Sequence, residues 1–243
     1  MDFSHSLLTY VIANCAVIVA SLIHTSTGVG FALIAAPLLA LINLELIPGP
    51  MLFVNLFLSL FMMREGRSYV VMREIITLCP AILIGTLVGA AVLVRVPSAS
   101  LAILFASLIL VAVAISLFAK AQPLTTRNLT ICGVAVGTMG STSGIPGAPL
   151  VIMYQNEPLE KTRPTLAFVF TFSYITSLIA LTYAGAFNFK LAIDGLMLLP
   201  GLLIGFVIGR WVRQYMSQVI GRILMLSIAS IGAILLLVQS ATG

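Results

Sequence analysis

Apolar positions in this chain come in long unbroken runs and do not alternate with polar ones. Leu7–Ile23 is apolar except for Thr9, Asn14 and Ser21. His24, Thr25, Ser26, Thr27, Gly28, Val29 and Gly30 then interrupt it, and the apolar pattern resumes at Phe31. The same reading along the chain gives ten apolar segments, 7–23, 31–44, 48–63, 74–94, 99–119, 129–140, 146–156, 165–187, 192–212 and 220–239. A hydrocarbon core of about 30 Å takes about 20 helical residues. Segments four, five, eight, nine and ten meet that length. Segments one, two, six and seven, at 11 to 17 residues, are expected to be too short to cross untilted. They form two pairs, each joined by a Gly-rich break.

The two breaks resemble one another. Thr27-Gly28-Val29 in "HTSTGVGF" aligns with Ser143-Gly144-Ile145 in "GSTSGIPG", 116 residues later. "PAILIGTLVG" from Pro80 and "PGLLIGFVIG" from Pro200 both read P-x-x-L-I-G-x-x-x-G, 120 residues apart. Glu74 and Asp194 precede these prolines by the same six positions. Each half holds five segments, an odd number, so the second enters the membrane from the opposite side. The expected fold is an all-α polytopic membrane protein of two inverted repeats, residues 1–120 and 121–243, forming one membrane domain. Eight to ten segments are expected, the first two of each repeat short and broken or re-entrant. Inverted repeats with broken helices are a hallmark of secondary transporters.

Composition agrees. The 243 residues are 60% hydrophobic and 8% charged, against roughly 25% charged in a soluble domain. The N-terminus lacks a basic region and a small-residue cleavage site, so no cleaved signal peptide is expected. Cys15, Cys79 and Cys132 lie far apart in apolar stretches and read as packed free thiols. The net charge of +5 reports topology and not nucleic acid. Arg64, Arg67, Arg73, Lys120, Arg127, Lys161, Arg163, Arg210, Arg213 and Arg222 fall on one side if every segment crosses, and only Arg95 and Lys190 on the other. The positive-inside rule then places both termini outside. A hairpin in place of each short pair leaves that orientation unchanged.

A break between half-helices at membrane depth is tolerated where protein or a water-filled cavity surrounds it. It exposes the N–H groups that begin the second half-helix, and these attract anions. Thr25, Ser26, Thr27, Ser141, Thr142 and Ser143 would add hydroxyl donors. The backbone of Gly28, Val29, Gly30 and Phe31, and of Gly144, Ile145, Gly147 and Ala148, would hold the oxyanion. Pro146, with no N–H, suits the start of the following helix. The alternative is a pair of tight turns near the membrane surface. Asn55 and its counterpart Thr171 read either as cavity wall or as interhelical hydrogen bonding. Ser59, Ser173, Tyr174 and Thr176 are weaker candidates of that kind. His24 reads as a carrier of a coupled proton or as a structural histidine. The second repeat has Gly140 in its place. The GxxxG pairs Gly85/Gly89 and Gly205/Gly209 read as close helix contacts.

No Asp, Glu, Lys or Arg lies well inside a segment. That disfavours a cation carrier, which commonly needs a buried carboxylate. No HExxH, GxSxG or paired carboxylates occur, so no enzyme activity, metal or cofactor is expected. Neutral donors and helix N-termini suit a small anionic substrate.

"GVGFALIAAPLL" and its second copy "SGIPGAPLVIMY" resemble the sulfite exporter TauE/SafE family of bacterial membrane permeases, and the resemblance spans nearly the whole chain. It implies export of sulfite or a small organosulfonate such as sulfoacetate across the bacterial inner membrane. Alternating access driven by membrane potential or proton coupling is the expected mechanism. A passive anion channel and a non-transporting scaffold are the competing readings.

Overall fold

The computed structural model describes residues 3–65 and 70–242. Arg67, counted above for orientation, lies outside them. Among the described residues all regular structure is helical. The α-helices are α1 (Phe3–Thr27), α2 (Phe31–Ile42), α3 (Gly49–Glu65), α4 (Met72–Leu93), α5 (Leu101–Phe118), α6 (Thr126–Ser143), α7 (Gly147–Tyr154), α8 (Leu159–Tyr183), α9 (Phe189–Met197), α10 (Leu199–Val212) and α11 (Gln218–Thr242).

Six stretches are long and apolar enough to cross a membrane, lying in α1, α3, α4, α5, α8 and α11; α9 with α10 makes a seventh if taken as one span. Adding α2, α6 and α7 reaches the eight to ten segments expected. At 1.5 Å per residue, the 12-residue α2 and 8-residue α7 reach only about 18 Å and 12 Å. Neither can span the hydrocarbon. Apolar side chains such as Ile84, Leu87, Ile204 and Val207 point outward, as a surface facing lipid requires. Cys15 is among the exposed residues and is not packed inside, as was expected of it; Cys132 is buried.

Segment one departs from expectation. It is a 25-residue helix, because His24, Thr25, Ser26 and Thr27 continue it. Ser26 Oγ donates to Leu22 O at 2.9 Å and Thr27 Oγ1 to Ile23 O at 2.8 Å. This turns the hydroxyls back onto the helix and leaves its ladder intact. The same happens in α6, where Ser141 and Ser143 bond Gly137 O and Met139 O, each at 2.9 Å. The breaks therefore shrink to residues 28–30 and 144–146. Gly28 (φ +89°), Gly30 (φ +106°) and Gly144 (φ +75°) take left-handed conformations there, which side chains with a Cβ rarely adopt. Segment nine also differs from one straight crossing. It bends by 40° between α9 and α10, where Pro200 removes an N–H from the ladder.

Two helix seams organise the rest. α4 packs along α6, and α1 along α10. In each seam glycine lets backbone meet backbone. A Cβ on Gly85 would lie 2.8 Å from Val134 C and 2.9 Å from Thr138 N. A Cβ on Gly205 would lie 3.0 Å from Ile18 Cα and 2.7 Å from Ser21 Cβ. Hydroxyls stitch both seams: Ser141 Oγ lies 3.0 Å from Thr86 O, and Ser21 Oγ donates to Leu202 O at 2.9 Å. α3 packs on α8 and α5 on α11. The short helices are held from two sides, α2 by α1 and α11, α7 by α6 and α5.

Candidate functional site

The helical packing brings the two breaks to one place. Val29, Gly30 and Phe31 from the first, and Ile145 and Gly147 from the second, line a single cavity with His24, Phe170 and Tyr174. Its volume is about 10 Å³, room for about one water. A sulfur oxyanion is too large for that space.

His24 is 3% exposed. Its ring stands edge-on to Phe31, centroids 6.5 Å apart, and lies 6.1 Å from Phe170. Phe170 stacks on Tyr174 at 6.0 Å. The Tyr174 hydroxyl meets the Asn55 side chain. Asn55 is 1% exposed, and its Nδ2 has no hydrogen-bond partner.

Many of the N–H groups expected to face an anion are already engaged. Gly28 N–H donates to His24 O at 2.7 Å, and Gly144 N–H to Gly140 O at 2.9 Å, as left-handed C-caps do. Ile145 N–H reaches Met139 O at 3.3 Å. Phe31 N–H donates to His24 Nδ1 at 3.1 Å. The first turns still carry N–H groups with no acceptor inside their own helix. These are Ala32 and Leu33 in α2, and Gly147 and Ala148 in α7. Gly147 and Ala148 belong to the backbone expected from the sequence, whereas Ala32 and Leu33 lie one and two residues beyond it.

The hydroxyls are placed differently from the expectation. Once Ser26, Thr27, Ser141, Thr142 and Ser143 give their protons to carbonyls one turn back, they present only lone pairs. Thr25 Oγ1 is buried without a partner, but its side chain lies against Gly209 of α10. Thr25, Ser26, Asn55, Ser141, Thr142, Ser143, Gly144 and Thr171 line neither this cavity nor the vestibule described next. Thr171 Oγ1 lies 2.9 Å from Ser59 Oγ and joins α8 to α3.

Beside the first break opens a larger vestibule of about 220 Å³. Thr27, Gly28 and Val29 form one wall, with Arg163 of α8 and Arg222 of α11 across from it. Arg163 lies over Gly28, where a Cβ would stand 3.0 Å from its Cγ. Its Nη2 donates to Ser26 O at 2.7 Å. Arg222 donates to Ser116 O. Each guanidinium thus meets a carbonyl at the C-terminal end of a helix, where the dipole favours a cation. Glu157 is also on the rim. Val29, Val151 and Met225 belong to both cavities and form the partition between them. The second break is covered at its glycine. Gly144 is covered by the Met51 methyl, with Pro48 at 3.7 Å and Leu52 at 3.8 Å.

Arg163 and Arg222 were read from the sequence only as topology charges. Their meeting in one vestibule with Gly28 depends on how α8 and α11 fold back, and no local motif carries it. Among the described residues, no group of three or more His, Cys, Asp or Glu side chains is placed to hold a metal ion.

A family model described as Sulfite exporter TauE/SafE matches residues 13–236. No curated protein and no solved structure matches the chain.

Proposed function

The chain belongs to the sulfite exporter TauE/SafE family, and from that premise we propose that it exports a small sulfur-containing oxyanion, sulfite or an organosulfonate such as sulfoacetate, by alternating access. One observation carries the reading. Val29, Gly30 and Phe31 meet Ile145 and Gly147 in one cavity; a vestibule with two arginines adjoins it beside the first break, whereas at the second break Met51 and Leu52 cover Gly144. A carrier needs a central site with one access at a time. A channel needs both at once, so the one-sided opening favours the carrier.

The halves 1–120 and 121–243 act in this reading as inverted repeats. The Gly85 and Gly205 seams, equivalent at an offset of 120, support it. With the basic loops inside, both termini face the periplasm, the vestibule faces the cytoplasm, and its arginines collect the anion where export begins. The anion then passes Val29 and Met225 to the helix starts at Ala32, Leu33, Gly147 and Ala148. Asn55 and Tyr174 stand at the back of that site. Driving force is available without any chemical step. One negative charge leaving through 100 mV gains about 2.3 kcal/mol.

The test is a thermal-shift screen of the purified protein against sulfite, sulfate, thiosulfate, sulfoacetate, taurine and acetate, followed by efflux from proteoliposomes. Stabilisation by sulfur oxyanions, and efflux that saturates and responds to counter-anion on the far side, is expected. Stabilisation only by neutral or cationic ligands overturns the anion site. Efflux at channel rates without exchange overturns the carrier.

A further inference from the structure

His24 occupies the positive end of α2. Its Nδ1 accepts the Phe31 N–H at 3.1 Å, so the lone pair of Nδ1 is used and the proton of the neutral ring resides on Nε2. The first N–H of α2, which would otherwise meet an anion, is held by the protein's own imidazole. A base and an anion thus compete for one donor. We propose that His24 is the site of a co-transported proton, and that the anion and one proton enter the central site together.

The reasoning is stereochemical. Protonation of Nδ1 changes it from acceptor to donor. Phe31 N–H and Nδ1–H then face each other and cannot bond. An oxyanion oxygen placed between them accepts from both. His24 is 3% exposed, and a buried charge requires a partner. The ionisable groups that face it are both on α8: Arg163, whose positive charge repels a protonated ring, and Tyr174 across the cavity. From α2, α7 and α11 the cavity receives only backbone and apolar side chains, among them Leu33, Gly147, Val151 and Met225. No carboxylate lines it. The counter-charge for a protonated His24 must therefore be the transported anion.

The proton is drawn from bulk solvent through the vestibule, across the Val29–Met225 partition, and is released to bulk solvent on the far side with the anion. The second break carries Gly140 in the equivalent place, so the coupling is one proton per anion. A dianion then leaves with one net negative charge and keeps half its voltage drive, whereas a monoanion leaves without net charge. This inference rests on the anion-export reading and adds the coupling ion to it.

The experiment is titration calorimetry on the full chain in detergent, with sulfate, thiosulfate and methanesulfonate as probes. Their charges stay constant between about pH 5.5 and 8, so any pH dependence belongs to the protein. Expected are a gain in affinity of about tenfold per pH unit lowered and uptake of one proton per anion, read from buffers of different ionisation enthalpy. His24→Asn offers a carbonyl oxygen to Phe31 N–H but no titrating group. It should bind the same probe independently of pH and take up no proton. Wild-type binding that is flat with pH and takes up no proton overturns the coupling while the anion site stands. An unchanged pH slope in His24→Asn overturns it too. Absence of binding by every probe at every pH overturns both readings.

Discussion

The Tyr10 hydroxyl donates to Asp194 Oδ1 at 2.6 Å, tying the outer turns of α1 to α9. Asp194 is 8% exposed, and this bond gives its carboxylate a hydrogen-bond donor. Tyr154 of α7 likewise donates to Glu74 Oε2, at 2.5 Å. The two acids are the pair that precede Pro80 and Pro200 by six positions. Tyr10→Phe should cost about 1–3 kcal/mol, the penalty for stripping a buried polar group of its partner. Asp194→Asn should cost less, because its carbonyl oxygen still accepts. Reversible unfolding in detergent would read both, and equal losses would count against a hydrogen-bond origin.

A second prediction concerns the glycine seams. Gly85→Val and Gly205→Val would each drive side-chain carbons into backbone atoms already within 3.0 Å of the added Cβ. Neither neighbour can yield without moving a helix. Each should cost at least about 1–3 kcal/mol, the usual range for overpacking, and lower the folded yield. Gly185, at φ +74° with nothing within 4 Å of an added Cβ, is the control. Gly185→Ala should cost about 1–2 kcal/mol from backbone strain alone and leave transport unchanged. A thermal-stability series across the three separates packing from backbone conformation.

Much of this architecture is legible in the residues. α4, α5, α8 and α11 follow from apolar length. The seams follow from the repeated P-x-x-L-I-G-x-x-x-G. The extent of the breaks is not legible, because Ser and Thr read as helix-weakening. Ser26, Thr27, Ser141 and Ser143 instead satisfy their hydroxyls on carbonyls of their own helix, and the helix survives. The bend at α9–α10 is not legible either, because one motif has two outcomes. Pro80 lies inside the continuous α4, whereas Pro200, in the same motif, starts a new helix. At the site, the glycines announced the breaks, but nothing local announced Arg163 and Arg222. Their role is a product of tertiary packing.

Those arginines carry a third prediction. Arg163→Gln or Arg222→Gln should raise the anion KM by roughly tenfold at low salt and leave the maximal rate less affected, as loss of electrostatic focusing does. The difference from wild type should shrink as ionic strength rises. Arg163→Lys should restore charge but not the contact with Ser26 O, giving partial recovery. Initial efflux rates at two salt concentrations decide the point; a salt-independent defect would argue for a structural role only.

A fourth prediction uses accessibility. Val219 lines the vestibule, and Met51 covers Gly144 on the closed side. With the three native cysteines replaced by alanine, Val219→Cys should react readily with a water-soluble maleimide, and Met51→Cys slowly. A saturating exported anion should bring the two rates closer, because cycling exposes the second break. Fixed rates under turnover would contradict alternating access.

The seams α1–α10 and α4–α6 have a mechanical consequence. Each joins a helix from residues 1–120 to one from residues 121–243, backbone against backbone. The chain is therefore laced like clasped fingers. Any bodies that rock against each other along these seams must draw helices from both parts of the chain, so the connection near residue 120 is not a hinge between them. Cutting the peptide in that connection should leave two fragments that are each insoluble alone and functional when made together.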